Sequence, residues 1–264
     1  MVLYKIPFVQ SGRSTALILF LLAFALIIYY IRRERLPFIR RPAALDAIEE
    51  GIGRATEMGR PAIYTYGLSR GMFSYYTVAA LSILRYVARM CAATETKLIV
   101  PTGGDEQSYA VRPVALEIIQ NACREAGKPE LFNADDVPFF SGMQFAYGMS
   151  TVGLLLSESP GFFMMSGNYG ADIMMMAETG MNVGAMTITT TTSLSYAACM
   201  AGVSDYMMLG EETPAAGAYL SKDVGQIASL RNGDIFKIAS ILVVIVGSII
   251  LQFGIKILSD ILNA

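Results

Sequence analysis

Residues Gly161–Thr190 read GFFMMSGNYGADIMMMAETGMNVGAMTITT. The short apolar run Gly161–Met165 predicts a strand, Ala171–Thr179 a helix and Val183–Thr190 a second strand. Strand, helix and strand at this spacing make a βαβ unit, which predicts a parallel sheet. Both strands are apolar throughout rather than alternating, as expected where helices cover both faces of a sheet.

The same rhythm extends in both directions. Toward the N-terminus, Ala62–Tyr66 (AIYTY) predicts a strand closed by Gly67, and Met72–Met90 a helix. Lys97–Val100 (KLIV) predicts a strand that runs into Pro101-Thr102-Gly103-Gly104, and a helix from near Pro113 to Ala126 follows. Glu130–Asn133 (ELFN) reads as a weaker strand, and Phe140–Leu156 as a very apolar helix. Toward the C-terminus, a helix near Leu194–Ala201, a strand over Tyr206–Leu209 and a short helix over Pro214–Leu220 complete the series. Before it all, Leu45, Ile48, Ile52, Ala55 and Met58 recur at helical spacing, with Gly59 as the stop. The predicted fold is α/β: a Rossmann-like three-layer domain with a mostly parallel sheet of about six strands.

Two uncharged apolar segments bracket this domain, 15–31 and 238–254. Each approaches the roughly 20 residues of a bilayer span. Read as transmembrane helices, they divide the chain into an external segment 1–14, helix 15–31, a basic linker 32–42, an α/β domain 43–220, a linker 221–237, helix 238–254 and a tail 255–264. Arg32, Arg33, Arg35, Arg40 and Arg41 follow the first segment, and Arg231 and Lys237 precede the second. The positive-inside bias then predicts a two-span protein of the cell membrane with its central domain cytoplasmic and both termini outside. Ser240, Gly247 and Gly254 are spaced seven apart, so they form a small-residue face suited to helix packing.

Composition removes several function classes. The chain of 264 residues has a net charge of −2 and so lacks the electrostatic footprint of a nucleic-acid binder. It has no histidine, the usual base of a catalytic triad and the commonest transition-metal ligand. Cys91, Cys123 and Cys199 are far apart in sequence and form no metal-ligand spacing. No metal, cofactor or catalytic residue is implied. The 16 methionines suit either core filling or an adaptable self-association surface.

In open α/β sheets, ligands bind outside the carboxyl ends of the strands. The loops expected there supply the candidate ligand-binding residues: Ser69, Arg70, Thr102, Gly103, Gly104, Asp135, Asn168 and Thr190. Such residues also turn the chain and cap helices wherever they occur. Gly67-Leu68-Ser69-Arg70-Gly71 matches the G-x-S-x-G elbow of serine hydrolases, but no histidine exists to activate Ser69. A glycine turn is the plainer reading. No P-loop and no G-x-G-x-x-G fingerprint is present.

Arg40–Gly67 (RRPAALDAIEEGIGRATEMGRPAIYTYG) and Ser166–Thr192 (SGNYGADIMMMAETGMNVGAMTITTTT) resemble an uncharacterised archaeal and bacterial family of membrane proteins. The resemblance implies a cytosolic domain of unknown function and carries over no catalytic residue. Two functions stay open. One is a membrane-anchored domain with a structural or scaffolding role, its partners the lipid bilayer and further copies of itself. The other is a sensor or enzyme binding a small anionic molecule or nucleotide at the strand ends.

Overall fold

The computed structural model describes residues 13–32, 41–68, 74–104 and 111–252. Two compact units divide the chain: Met1–Phe38 with Asp223–Ala264, and Ile39–Lys222.

The second unit is the α/β domain. Its strands are β1 (Ala62–Gly67), β2 (Leu98–Ile99), β3 (Phe162–Asn168), β4 (Met186–Thr191) and β5 (Tyr206–Leu209). They form one parallel sheet in the order β2-β1-β3-β4-β5. The sheet thus has five strands where the sequence suggests about six. Glu130–Asn133 is not a strand, because Pro129–Leu131 closes a 3₁₀ turn. The chain instead reaches the sheet a few residues later. Val100 N donates to Asp136 O (2.8 Å), Thr102 N to Pro138 O (2.8 Å) and Phe140 N to Thr102 O (2.9 Å), so 136–140 runs alongside β2 at the edge. Pro138 interrupts this pairing and keeps it irregular.

The helices of this unit are α2 (Ala44–Met58), α3 (Tyr75–Thr94), α4 (Val111–Glu125), α5 (Gln144–Glu158), α6 (Asp172–Asn182), α7 (Leu194–Met200) and α8 (Glu212–Ser221). Helices α2, α3, α4 and α8 cover one face of the sheet, over Tyr64, Tyr66, Phe162, Met164 and Ile188. Helices α5, α6 and α7 cover the other, over Ile63, Phe163 and Met165. The consecutive pair Phe162-Phe163 shows how strand alternation builds both cores. Each ring is fully buried, one per face, at a gain of about 2–3 kcal/mol apiece.

The first unit contains α1 (Arg13–Arg32) and α9 (Val224–Gln252), which pack together. Here the structure corrects the sequence. Among the described residues no helix is long and apolar enough to cross a membrane. The transmembrane helices expected over 15–31 and 238–254 do not stand, nor does the two-span placement in the cell membrane with a cytoplasmic centre. Helix α9 absorbs the stretch read as a linker and carries Arg231, Asp234 and Lys237 in its first half. Only Ile238–Gln252 remains uncharged in it, shorter than the roughly 20 residues of a span. Helix α1 has an arginine at each end, Arg13 and Arg32.

Candidate functional site

The strand order reverses between β1 and β3, since the chain leaves β1 toward β2 and returns across it to β3. That reversal opens the crevice in which doubly wound sheets hold ligands, at the carboxyl ends of the strands.

A hydrogen-bonded chain of hydroxyls forms its floor on the α5–α6 face. Gly67 N donates to Thr65 Oγ1 (3.1 Å), and Thr65 Oγ1 bonds Tyr147 Oη. Tyr147 Oη in turn donates to Pro101 O (3.1 Å). With that proton committed, Thr65 is the donor to Tyr147. The order ties β1, the loop after β2 and α5 into one polarised chain. Tyr169 Oη donates to Thr65 O (2.7 Å), so its hydroxyl turns inward while part of its ring stays at the surface. Beside it, Asp172 is buried, and its Oδ1 accepts from Gly170 N (2.9 Å) and Gln144 Nε2 (2.7 Å). Burial pushes the Tyr147 and Tyr169 phenols well above their ordinary range, with the Thr65 hydrogen bond pulling each back only in part. Both remain neutral donors at physiological pH.

The opposite face of the same strand ends is different. Tyr66 and Ser166 are fully buried, yet neither Tyr66 Oη nor Ser166 Oγ completes a hydrogen bond; Ser166 lies close to Tyr64 Oη, whose own proton goes to Ala80 O (2.6 Å). Burial lifts the Tyr66 phenol far above its usual value and Tyr147 adds to the rise, while Thr102 and the positive charge of Arg112 oppose it. Thr102 lies close to Tyr66 Oη without completing a hydrogen bond. Its own hydroxyl donates to Pro138 O (2.9 Å). Arg112, in the first turn of α4, donates from Nε to Val137 O (2.8 Å), which holds the guanidinium at this corner. A buried hydroxyl without a partner costs about 1–3 kcal/mol. Native proteins rarely leave such groups, so two on the same face at the carboxyl ends of the adjacent strands β1 and β3 are unusual.

The residues singled out from sequence are scattered by the fold. Thr102, Gly103 and Gly104 sit together after β2, with Gly104 N donating to Ser141 O (3.3 Å). Gly103 is the only residue type that fits, since a Cβ there would fall 2.5 Å from Ser141 O and 2.5 Å from Tyr147 Cδ2. Thr190, on β4, accepts from Gly167 N (3.0 Å) and donates to Gly167 O (3.4 Å), so its hydroxyl fixes the end of β3. Asn168 closes β3 and pairs with Gly67 across the β1–β3 register shift. Ser69 and Arg70 lie outside the described residues, as does Gly254. Asp135 is exposed in the 3₁₀ turn Ala134–Asp136, which precedes the edge stretch and so belongs to the opposite end of the sheet. Ser240 bonds back to Phe236 O of its own helix (2.8 Å), and Gly247 falls within α9.

Sequence reasoning passed over Thr65, Tyr66, Tyr147, Ser166 and Arg112. The legible signal for Thr65 and Tyr66 was a polar hydroxyl inside a strand otherwise read as buried, which demands a partner; Arg112 and Tyr147, on helices, had no such signal.

At the amino end of β2 a separate cavity of about 270 Å³ is lined by residues including Cys91, Cys123, Lys97, Glu130 and Asp136. Burial raises the Asp136 carboxyl, and Lys97, 3.6 Å away, opposes the rise. Among the described residues no cluster of acidic or cysteine side chains could hold a metal ion.

No curated protein matches the chain, and no solved structure does. A family model described as a domain of unknown function (DUF6754) matches residues 5–262, nearly the whole length, and the chain belongs to that family.

Proposed function

We propose that the α/β domain binds a small anionic ligand, a phosphate- or carboxylate-bearing molecule, at the carboxyl ends of β1 and β3. The observation that carries this reading is the pair of buried, unpartnered hydroxyls of Tyr66 and Ser166. Both can donate a hydrogen bond, and Arg112 brings positive charge to the same corner. The helices that follow the strands, including α3, α4 and α6, begin at this end of the sheet, so their partial positive charges favour an anion there. A ligand oxygen accepting from both hydroxyls would relieve their desolvation cost, which makes the empty crevice less stable than the occupied one.

The test is thermal unfolding of the full chain with inorganic phosphate, pyrophosphate, adenosine nucleotides and small dicarboxylates. At least one should raise Tm. Tyr66→Phe should raise the ligand-free Tm, because it deletes a buried unsatisfied group, and should diminish the ligand-induced shift. If Tyr66→Phe lowered the ligand-free Tm and no anion moved the wild-type Tm, the reading would fail.

A further inference from the structure

The cavity at the amino end of β2 lies at the opposite end of the sheet from the candidate crevice, and its walls have two chemistries. The floor is apolar: Ala88, Cys91 and Ala92 from α3, Leu98 from β2, and Ile119 and Cys123 from α4. Cys91 and Cys123 are 1% and 5% exposed, and among the described residues neither thiol makes a hydrogen bond. Buried thiols of this kind behave as small hydrophobes. The rim is charged, with Glu95, Glu130 and Asp136 against Lys97.

The charges at this rim do not balance. Lys97 is shared between Asp136 (3.6 Å) and Glu158 (3.5 Å), while Lys128 is taken by Glu95 (2.7 Å) and Ala93 O (3.3 Å). Among the described residues Glu130 is in no ion pair. Four carboxylates therefore face two ammonium groups. The backbone adds to the excess. Helices of a parallel α/β unit end at the amino ends of the strands, so the negative poles of α3 and α5 lie at this end. Helix ends favour lysine or arginine for that reason. Here the last turns of α3 and α5 carry no basic residue, Glu95 caps α3 and Glu158 closes α5. Burial raises the Asp136 carboxyl even with Lys97 beside it, which marks a group still short of positive charge.

We infer that this cavity binds a small organic cation, a primary amine carrying an apolar body. The ammonium group offsets the surplus negative charge at the rim and has three protons to donate, with Glu130 and Asp136 as acceptors. The body covers the apolar floor. Among the described residues no acidic or thiol groups are placed to hold a metal ion, so the charge has to arrive on a body that the floor can grip. At about 270 Å³ the cavity falls just below the roughly 300–1,000 Å³ of sites for drug-sized ligands, which sets the scale at a single ring or a short alkyl chain. This site is distinct from the crevice at β1 and β3 and opposite to it in charge preference.

The experiment is isothermal titration calorimetry of the full chain with phenethylamine, phenethyl alcohol and 3-phenylpropanoate, which share an apolar body and differ in charge. Phenethylamine should bind, the alcohol more weakly, and the carboxylate not at all. Glu130→Gln should weaken the amine by about fivefold, the scale of one partly exposed charge pair, and leave the alcohol unchanged. Ala92→Leu fills the floor and should weaken amine and alcohol alike. Circular dichroism confirms that each variant is folded; Glu130 is exposed, so Glu130→Gln decides the matter even if Ala92→Leu does not fold. An amine that does not bind, that binds no tighter than the alcohol, or that keeps its affinity in either folded variant overturns the proposal. So does calcium chloride that binds more tightly than the amine and displaces it, which would assign the rim to a metal ion.

Discussion

Cys91 is where a single group's environment translates most directly into pH-dependent stability. Burial pushes its thiol from an ordinary 9.0 up to about 12, with Cys123 adding to the rise. A folded-state value above the unfolded one means that the native state holds its proton longer. The stability is complete below about 9 and is lost as pH climbs toward about 12. The slope from this group is at most about 1.4 kcal/mol per pH unit. Urea unfolding between pH 8 and 9, below the ordinary range of the buried tyrosines, should show the free energy falling with pH. Cys91→Ala should flatten that fall whatever it does to stability at pH 7; an unchanged slope would show that Cys91 does not hold its proton in the fold. Gly167 is a second residue whose identity is fixed locally. Its φ is +143°, and a Cβ would lie 2.2 Å from Tyr66 O. No other residue brings the end of β3 so close to the end of β1, which is the geometry that sets Tyr66 beside Ser166.

Helix α2 shows how tightly an element is matched to the strand beneath it. A Cβ on Gly51 would meet the Phe162 ring at 2.2 Å, whereas one on Gly53 would meet nothing within 4 Å. Glycine in a helix interior costs about 1 kcal/mol relative to alanine. Gly53→Ala should therefore stabilise the domain by up to about 1 kcal/mol. Gly51→Ala should destabilise it, because overpacking of about 1–3 kcal/mol exceeds the propensity gain. The two substitutions are identical in chemistry and two residues apart, so opposite signs in chemical denaturation isolate packing from propensity. Two stabilising results would mean that Phe162 moves aside at little cost. Helix α6 repeats the device on the other face, where a Cβ on Gly180 would fall 2.8 Å from the Phe163 ring.

For the whole molecule, both hydrophobic cores draw all their residues from Ile39–Lys222. A fragment of residues 41–222 should therefore unfold in one cooperative transition with native circular dichroism, since a region holding its own core folds alone. A molten fragment, with helical content but no sharp transition, would mean that the other unit completes the domain. The family match spans both units, whereas the candidate crevice belongs to the α/β domain alone.

The sequence by itself determined the parallel α/β sheet, because period and strand length are local. Residues 62–66, 161–165, 183–190 and 206–209 each announce a strand without knowledge of their neighbours. Local signals also placed Thr102–Gly104 after β2 and Thr190 on β4. Other features are matters of contact between distant segments. Glu130–Asn133 looked like a strand, but the pairing partner of β2 is 136–140, and only the hydrogen bonds to Val100 and Thr102 decide that. The apolar stretch 238–254 looked isolated until α9 extended back through its charged approach. Tyr66 and Ser166 are 100 residues apart and ordinary in composition. They become a candidate site because the β1–β3 pairing buries both hydroxyls and leaves each without a partner. Such satisfaction of polar groups is a property of the assembled chain, since it depends on what else is within 3.5 Å, and sequence periodicity carries no record of that.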